Sequence, residues 1–200
     1  MGDQMDLDWD SIGYPLAAPQ PDASGAVISG DGVYRYRLWR TPPSRARVAY
    51  NPGVPFSTPE PRLAFVMLNP STADERLDDA TIRRCLGYAR TWGYSRVDVG
   101  NLYGYRSSSP ALLKMAGFPV GEENDRHLVE IAKEAHCIVV AWGAHAEPAR
   151  AAHVLRLLQG LHGTVYALGF TKEGAPVHPL RQRADARLQI VTNARTHAVA

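Results

Sequence analysis

The chain predicts an α/β domain: three layers, α/β/α, around a central, mostly parallel four-stranded sheet, with a β-hairpin ahead of it. Two observations carry this reading. Unbroken apolar runs of strand length recur at 63–68, 137–142 and 165–168, the pattern of strands covered on both faces, and Val97–Val99 reads as a further short strand. Between them lie segments with apolar residues at helical spacing, and alternating strands and helices build a parallel sheet. At 200 residues the chain has room for one such domain. It is assigned to 26–191, with an acidic flexible tail at 1–25 and a short tail at 192–200.

The elements follow in order. Residues 1–25 are acidic and rich in Pro, Ala and Gly without a sustained period, which predicts a tail. Val27-Ile28, the turn Gly30-Asp31-Gly32 and the alternating Tyr34-Arg35-Tyr36-Arg37-Leu38-Trp39-Arg40 predict the hairpin, with Arg35, Arg37 and Arg40 largely facing solvent. Residues 41–61 hold six prolines and read as an irregular connection. After the strand at 63–68, the spacing of Ile82, Cys85, Leu86, Ala89 and Trp92 predicts a helix over 81–92, stopped by Gly93. Ser109-Pro110 opens a short helix, with Pro at a favoured first-turn position. Helices over 122–135 and 147–160 turn Leu128, Ile131 and Val154, Leu155, Leu158 inward.

Composition narrows the class. Hydrophobic content of 45% and charged content of 21% are ordinary for a soluble protein. No apolar run approaches the roughly 20 residues of a membrane span. The start lacks the basic and apolar regions of a secretory signal, so a cytoplasmic monomer without membrane contact is expected. Cys85 and Cys137 are too few for a four-cysteine zinc or iron–sulfur site and read as buried thiols. No metal site and no cofactor is expected. Residues 1–33 hold six acids and no Lys or Arg, a charge of −6, so with +2 in total the remainder carries +8. That balance suits a polyanionic partner.

In open α/β sheets ligands bind beyond the carboxyl ends of the strands. Polar, loop-forming residues sit at those ends: Asn69-Pro70, Asn101, Gly143-Ala144-His145, and the loop carrying His178-Pro179. Pro70 forces Asn69 out of helical geometry and ends the ladder, so the amide is held at a corner where it can orient a water or an amide edge. The alternative is a turn residue that caps the sheet edge. Asn101 also ends a strand, where an amide can pair with a nucleobase edge or cap the strand. His178 lies in a loop stiffened by Pro176 and Pro179, and could donate to an oxygen that gains charge as a base departs; otherwise it is polar surface. Among the acids, Asp79 and Asp78 read as helix caps, while Asp74 has no such account and is the candidate catalytic carboxylate. Arg83, Arg84, Arg106, Arg181 and Arg183 could meet phosphates or be ordinary surface charges.

These residues resemble a superfamily. Met67-Leu68-Asn69-Pro70-Ser71 is similar to the first motif of single-strand-selective and mismatch-specific uracil-DNA glycosylases. Asn101 falls where those enzymes carry a strand-end Asn in the base pocket. Val140-Ala141-Trp142-Gly143-Ala144-His145-Ala146 resembles a strand motif of classical uracil-DNA glycosylases, and Val177-His178-Pro179-Leu180 resembles their His-Pro-Ser-Pro motif. More closely, the pattern from Tyr34 onward resembles a bacterial family, a domain of unknown function within that superfamily. The resemblance implies a DNA N-glycosylase that removes uracil or another altered base without a metal. Asn69 would position the water, assisted by Asp74, and His178 would stabilise the leaving base. Asn101, with Leu68, Pro70, Ser71 and Tyr103, would hold the flipped nucleobase. Leu180, Arg181, Arg183 and Arg106 would contact DNA. Tyr103, Tyr105 and Phe170 are the candidates to stack on the base. The motif after His178-Pro179 lacks Ser-Pro, and Ser71 stands where relatives carry Gly or Tyr, so the identity of the base is open. A binding module for nucleotides or modified nucleic acid, or a hydrolase of free nucleotides, would fit the same residues.

Overall fold

The computed structural model describes residues 24–42, 60–71 and 78–192. Seven strands form one mixed sheet: β1 (Ser24–Ile28), β2 (Arg35–Arg40), β3 (Arg62–Met67), β4 (Arg96–Asn101), β5 (Cys137–Val140), β6 (Tyr166–Ala167) and β7 (Gln189–Ile190). Their spatial order is β1-β2-β4-β3-β5-β6-β7. Pairings β4–β3, β3–β5 and β5–β6 are parallel, while β1–β2, β2–β4 and β6–β7 are antiparallel. The helices are α1 (Ala80–Trp92), α2 (Pro110–Met115), α3 (Asn124–Glu134) and α4 (Pro148–His162).

The α/β class is as expected; the mostly parallel four-stranded sheet is corrected to a mixed one of seven strands among the described residues, half of its pairings antiparallel. The hairpin does not precede the sheet but belongs to it, because β2 pairs its free edge with β4 from Leu38↔Val99 to Arg40↔Val97. That pairing removes an open edge from β4. It also overturns the expectation for the hairpin arginines. With β2 an interior strand, Arg35, Arg37 and Arg40 are buried, at 3%, 8% and 5% exposure. The expected tail at 1–25 lies outside the described residues up to 23, and the Pro-rich connection lies outside them at 43–59.

Alternation along β3 divides the core. Leu63, Phe65 and Met67 face α1 and pack with Ile82, Cys85, Tyr88 and Trp92. Ala64 and Val66 face the other way and pack with Leu128 and Ile131 of α3 and Val154, Leu155 and Leu158 of α4. Gly93 ends α1 at φ 76°, in the left-handed conformation that favours glycine. The chain runs from β3 to β4 on one side, then crosses to β5 on the other side of β3. Neighbouring loops therefore diverge where β3 and β5 end, and a crevice opens there.

Candidate functional site

The crevice is a cavity of about 550 Å³. Its wall is assembled from four places. The corner after β3 supplies Leu68, Asn69 and Ser71; the start of α1 supplies Asp79; the turn after β5 supplies Trp142 and His145; the C-terminal loop supplies His178 and Arg181. The loop 107–110 closes one side and Arg35 reaches in from β2.

At the corner, Asn69 Nδ2 donates to Pro70 O and to Ser107 O, both at 2.9 Å. Two carbonyl acceptors require the nitrogen on that side, which fixes the amide's orientation. Both donors are thereby consumed and Oδ1 is left as the available acceptor. Ser107 N also donates to Pro70 O at 2.9 Å, so the corner is clamped from two directions.

Asp79 is the N-cap of α1, its Oδ1 accepting from Ile82 N at 2.9 Å. Its Oδ2 accepts from Ser71 Oγ. The cap residue and a cavity-wall carboxylate are thus the same side chain. A carboxylate has lone pairs beyond the two these bonds use.

His178 faces the same space. Leu180 N donates to its Nδ1 at 3.3 Å, which puts the ring proton of the neutral form on Nε2. Burial pushes the ring below its ordinary value, the Asp79 carboxylate opposes that, and Arg181 reinforces it. The imidazole is therefore a neutral donor at physiological pH, not a cation. Behind it, Gly143 adopts φ 74° and donates its N–H to Pro176 O at 2.8 Å, tying the turn after β5 to the His178 loop.

Arg35 reaches the cavity because the hairpin register skips a residue. Val27 lies opposite Arg37 and Ile28 opposite Arg35, leaving Tyr36 bulged between them. Tyr36 stacks on His127 at 5.4 Å and Arg37 pairs with Asp98 at 2.8 Å, while Arg35 lines the cavity.

Of the residues anticipated from sequence, Asn69, His178, Leu68, Ser71 and Arg181 share this wall. Others do not. Pro70 is buried at the corner and contributes its carbonyl as a clamp. Asn101 is 1% exposed, and its buried Nδ2 has no partner among the described residues, but it does not line the cavity. Tyr103 points into the α3–α4 core, against Phe118 at 5.1 Å and Glu147. Leu180 stands exposed on the 3-10 turn Pro179–Arg181, beside His178. Arg183 pairs with Asp185 at 2.9 Å on the surface. Arg106 lines an adjoining cavity and donates to Gly32 O at 3.1 Å. Asp74 lies outside the described residues. Among the described residues Trp142, not Tyr103, Tyr105 or Phe170, is the aromatic residue in the wall besides the histidines. Among the described residues no cluster of three or more His, Cys, Asp or Glu could hold a metal ion, and no helix is long and apolar enough to cross a membrane.

A cavity at the carboxyl ends of parallel strands, lined by both polar and apolar side chains, stands where open α/β sheets place their ligand sites. A family model described as "Protein of unknown function (DUF1643)" matches residues 35–180, and the chain belongs to that family. The match runs from Arg35 to Leu180, so it spans every cavity residue named above except Arg181. No curated protein and no solved structure matched the chain.

Proposed function

We propose that this domain is a DNA N-glycosylase of the uracil-DNA glycosylase-like group, removing uracil or another altered base. One observation carries the reading: an acceptor amide oxygen, a carboxylate and a neutral imidazole N–H line one cavity. Hydrolysis of an N-glycosidic bond passes through a cationic sugar with negative charge growing on the base. Asn69 Oδ1 accepts a hydrogen bond from the attacking water and aims its oxygen at the anomeric carbon. Asp79 stabilises the cationic sugar and takes the proton released by the water. The bonding pair leaves on the base nitrogen, and His178 Nε2–H donates to the base oxygen that gains charge. Trp142 offers an aromatic surface to the flipped base. Asp79 takes over the part expected of Asp74, and Leu180 is the apolar tip that meets the neighbouring bases.

The test is incubation with oligonucleotides carrying uracil, hypoxanthine, 5-hydroxymethyluracil or glucosylated cytosine, scoring abasic sites. Release of at least one base is expected, and Asn69→Ala and His178→Ala should each slow it by about 100-fold. Wild-type rates in both variants would reject this assignment of roles. Salt-dependent binding without a single abasic site would instead identify a binding module on the same fold.

A further inference from the structure

We propose that Arg150 of α4, across the sheet from α1, is a positioning residue for the reaction: it holds the backbone against which the Asn69 corner is aligned. This rests on the glycosylase reading of the cavity and adds to it a residue outside the cavity wall.

The corner does not hold itself. It is laid along the stretch that follows β4. Leu102 N donates to Met67 O at 2.8 Å and Tyr103 N to Leu68 O at 3.1 Å. Further on, Ser107 N reaches Pro70 O and Asn69 Nδ2 reaches Ser107 O, both at 2.9 Å. Residues 102–107 therefore set where the Asn69 amide stands.

That stretch is gripped in turn at Leu102. Its carbonyl accepts from two side chains at once, Arg150 Nε at 2.8 Å and Asn124 Nδ2 at 3.2 Å. Asn124 Nδ2 also reaches Asn101 O at 3.0 Å, while its buried Oδ1 has no partner among the described residues. An amide that leaves an acceptor empty in the interior adds little net stability; what it fixes is the place of two carbonyls. Arg150 is the stiffer grip. Its side chain is 11% exposed, and both terminal nitrogens are taken by Asp125 of α3, Nη1 donating to Oδ2 at 3.1 Å and Nη2 to Oδ1. His153 Nε2 lies 2.9 Å from the same Oδ2. A planar guanidinium held by its fork has one direction left for Nε, and here that direction is Leu102 O.

Arg150 also belongs to the opposite wall. Its helix starts just after the turn that carries Trp142 and His145, and Glu147 N at that start donates to Tyr103 Oη at 3.2 Å. Gly143 N ties the same turn to Pro176 O in the His178 loop. The Leu102–Arg150 bond thus sets the Asn69 side of the cavity in register with the Trp142 and His178 side. An amide that aims a water depends on that register, since a shift of about 1 Å can slow a reaction by about 100-fold.

The test is a double-mutant cycle on base release by the full chain, using the oligonucleotide that the wild type cleaves fastest. Rates are taken per folded molecule, from thermal melts of each variant. Arg150→Lys keeps a cation beside Asp125 but cannot hold a fork and Leu102 O together. It should lower kcat about tenfold with KM unchanged, because the aim of the water is lost and no substrate contact is. In an Asn69→Ala background the same substitution should cost less than about twofold, because the amide through which it acts is gone. Asp125→Asn, a milder change at a half-exposed side chain, weakens the fork and should lower kcat about threefold, again only with Asn69 in place. An equal loss with and without Asn69 would make Arg150 a structural residue only, and an unchanged kcat in both single variants would remove its role outright. Either result overturns the proposal and leaves the glycosylase reading intact. A wild type that releases no base from any of the oligonucleotides removes both.

Discussion

The two ends of the parallel strands handle polar residues in opposite ways. At the amino ends, Arg37 bridges Asp98 at 2.8 Å and Glu134 at 2.6 Å, Arg62 reaches Glu134 at 2.5 Å, and Arg96 closes on Asp98 at 3.0 Å. Trp39 lies under the Arg96 guanidinium at 5.3 Å. Both carboxylates are bridged by two arginines, and the Glu134 carboxyl is held below its usual range chiefly by its bond to Arg37. At the carboxyl ends, Asn69 keeps an acceptor, His178 a donor and Asp79 spare lone pairs, all toward a cavity. Paired charges close one end of the sheet. The other keeps valences open for a ligand.

Breaking the closed end should cost stability and little else. Arg37→Ala leaves Asp98, 2% exposed, with Arg96 as its remaining cation. A buried pair that loses one partner typically loses about 3 kcal/mol, expected here as a lower denaturant midpoint. The activity of the folded fraction should not change. An unaltered midpoint would show that the network contributes nothing net.

Breaking the open end should do the reverse. Asp79→Asn keeps a good N-cap for α1, since Asn and Asp cap about equally, but removes the negative charge from the cavity. Stability should stay within about 0.5 kcal/mol of wild type. Base release should fall by about 100-fold, roughly 2.7 kcal/mol of transition-state stabilisation. If activity survives in Asp79→Asn, the carboxylate is only a cap.

This contrast was partly legible in the sequence. The corner at Asn69 and the loop at His178 were readable because proline leaves few conformations beside it, and few conformations fix a side chain's place. Asp79 was readable as a cap but not as cavity wall, because capping is local and the wall depends on which strand lies next to which. Arg35 was misread as solvent-facing for a related reason. Alternation assigns faces only while the register is regular, and the bulge at Tyr36 reverses the assignment for the residue before it. Arg37 and Arg40 were misread because a hairpin looks the same in sequence whether its outer edge is free or paired with another strand. Tyr103 follows a strand end, as Asn69 does, yet it turns into the core behind the sheet.

His178 links the two behaviours through pH. Burial lowers its pKa from the ordinary 6.5, with Asp79 opposing and Arg181 reinforcing the shift. The unfolded chain therefore binds a proton at a pH where the folded protein does not. Stability from this residue is fully present above about pH 6.5 and is lost as pH falls from there through the lowered folded value. His127 and His136 are shifted the same way, burial again being the first cause, so the melting temperature should decline from pH 7 to pH 5. His178→Phe removes one of the three proton sites, and its decline over that interval should be measurably shallower than that of the wild type. The same substitution also removes the Nε2–H donor. If His178 acts as a neutral donor, wild-type activity should hold at pH 7 and above and fall only as the ring becomes protonated on the acid side. Activity that rises as pH drops below 6 would instead make the imidazolium the working form.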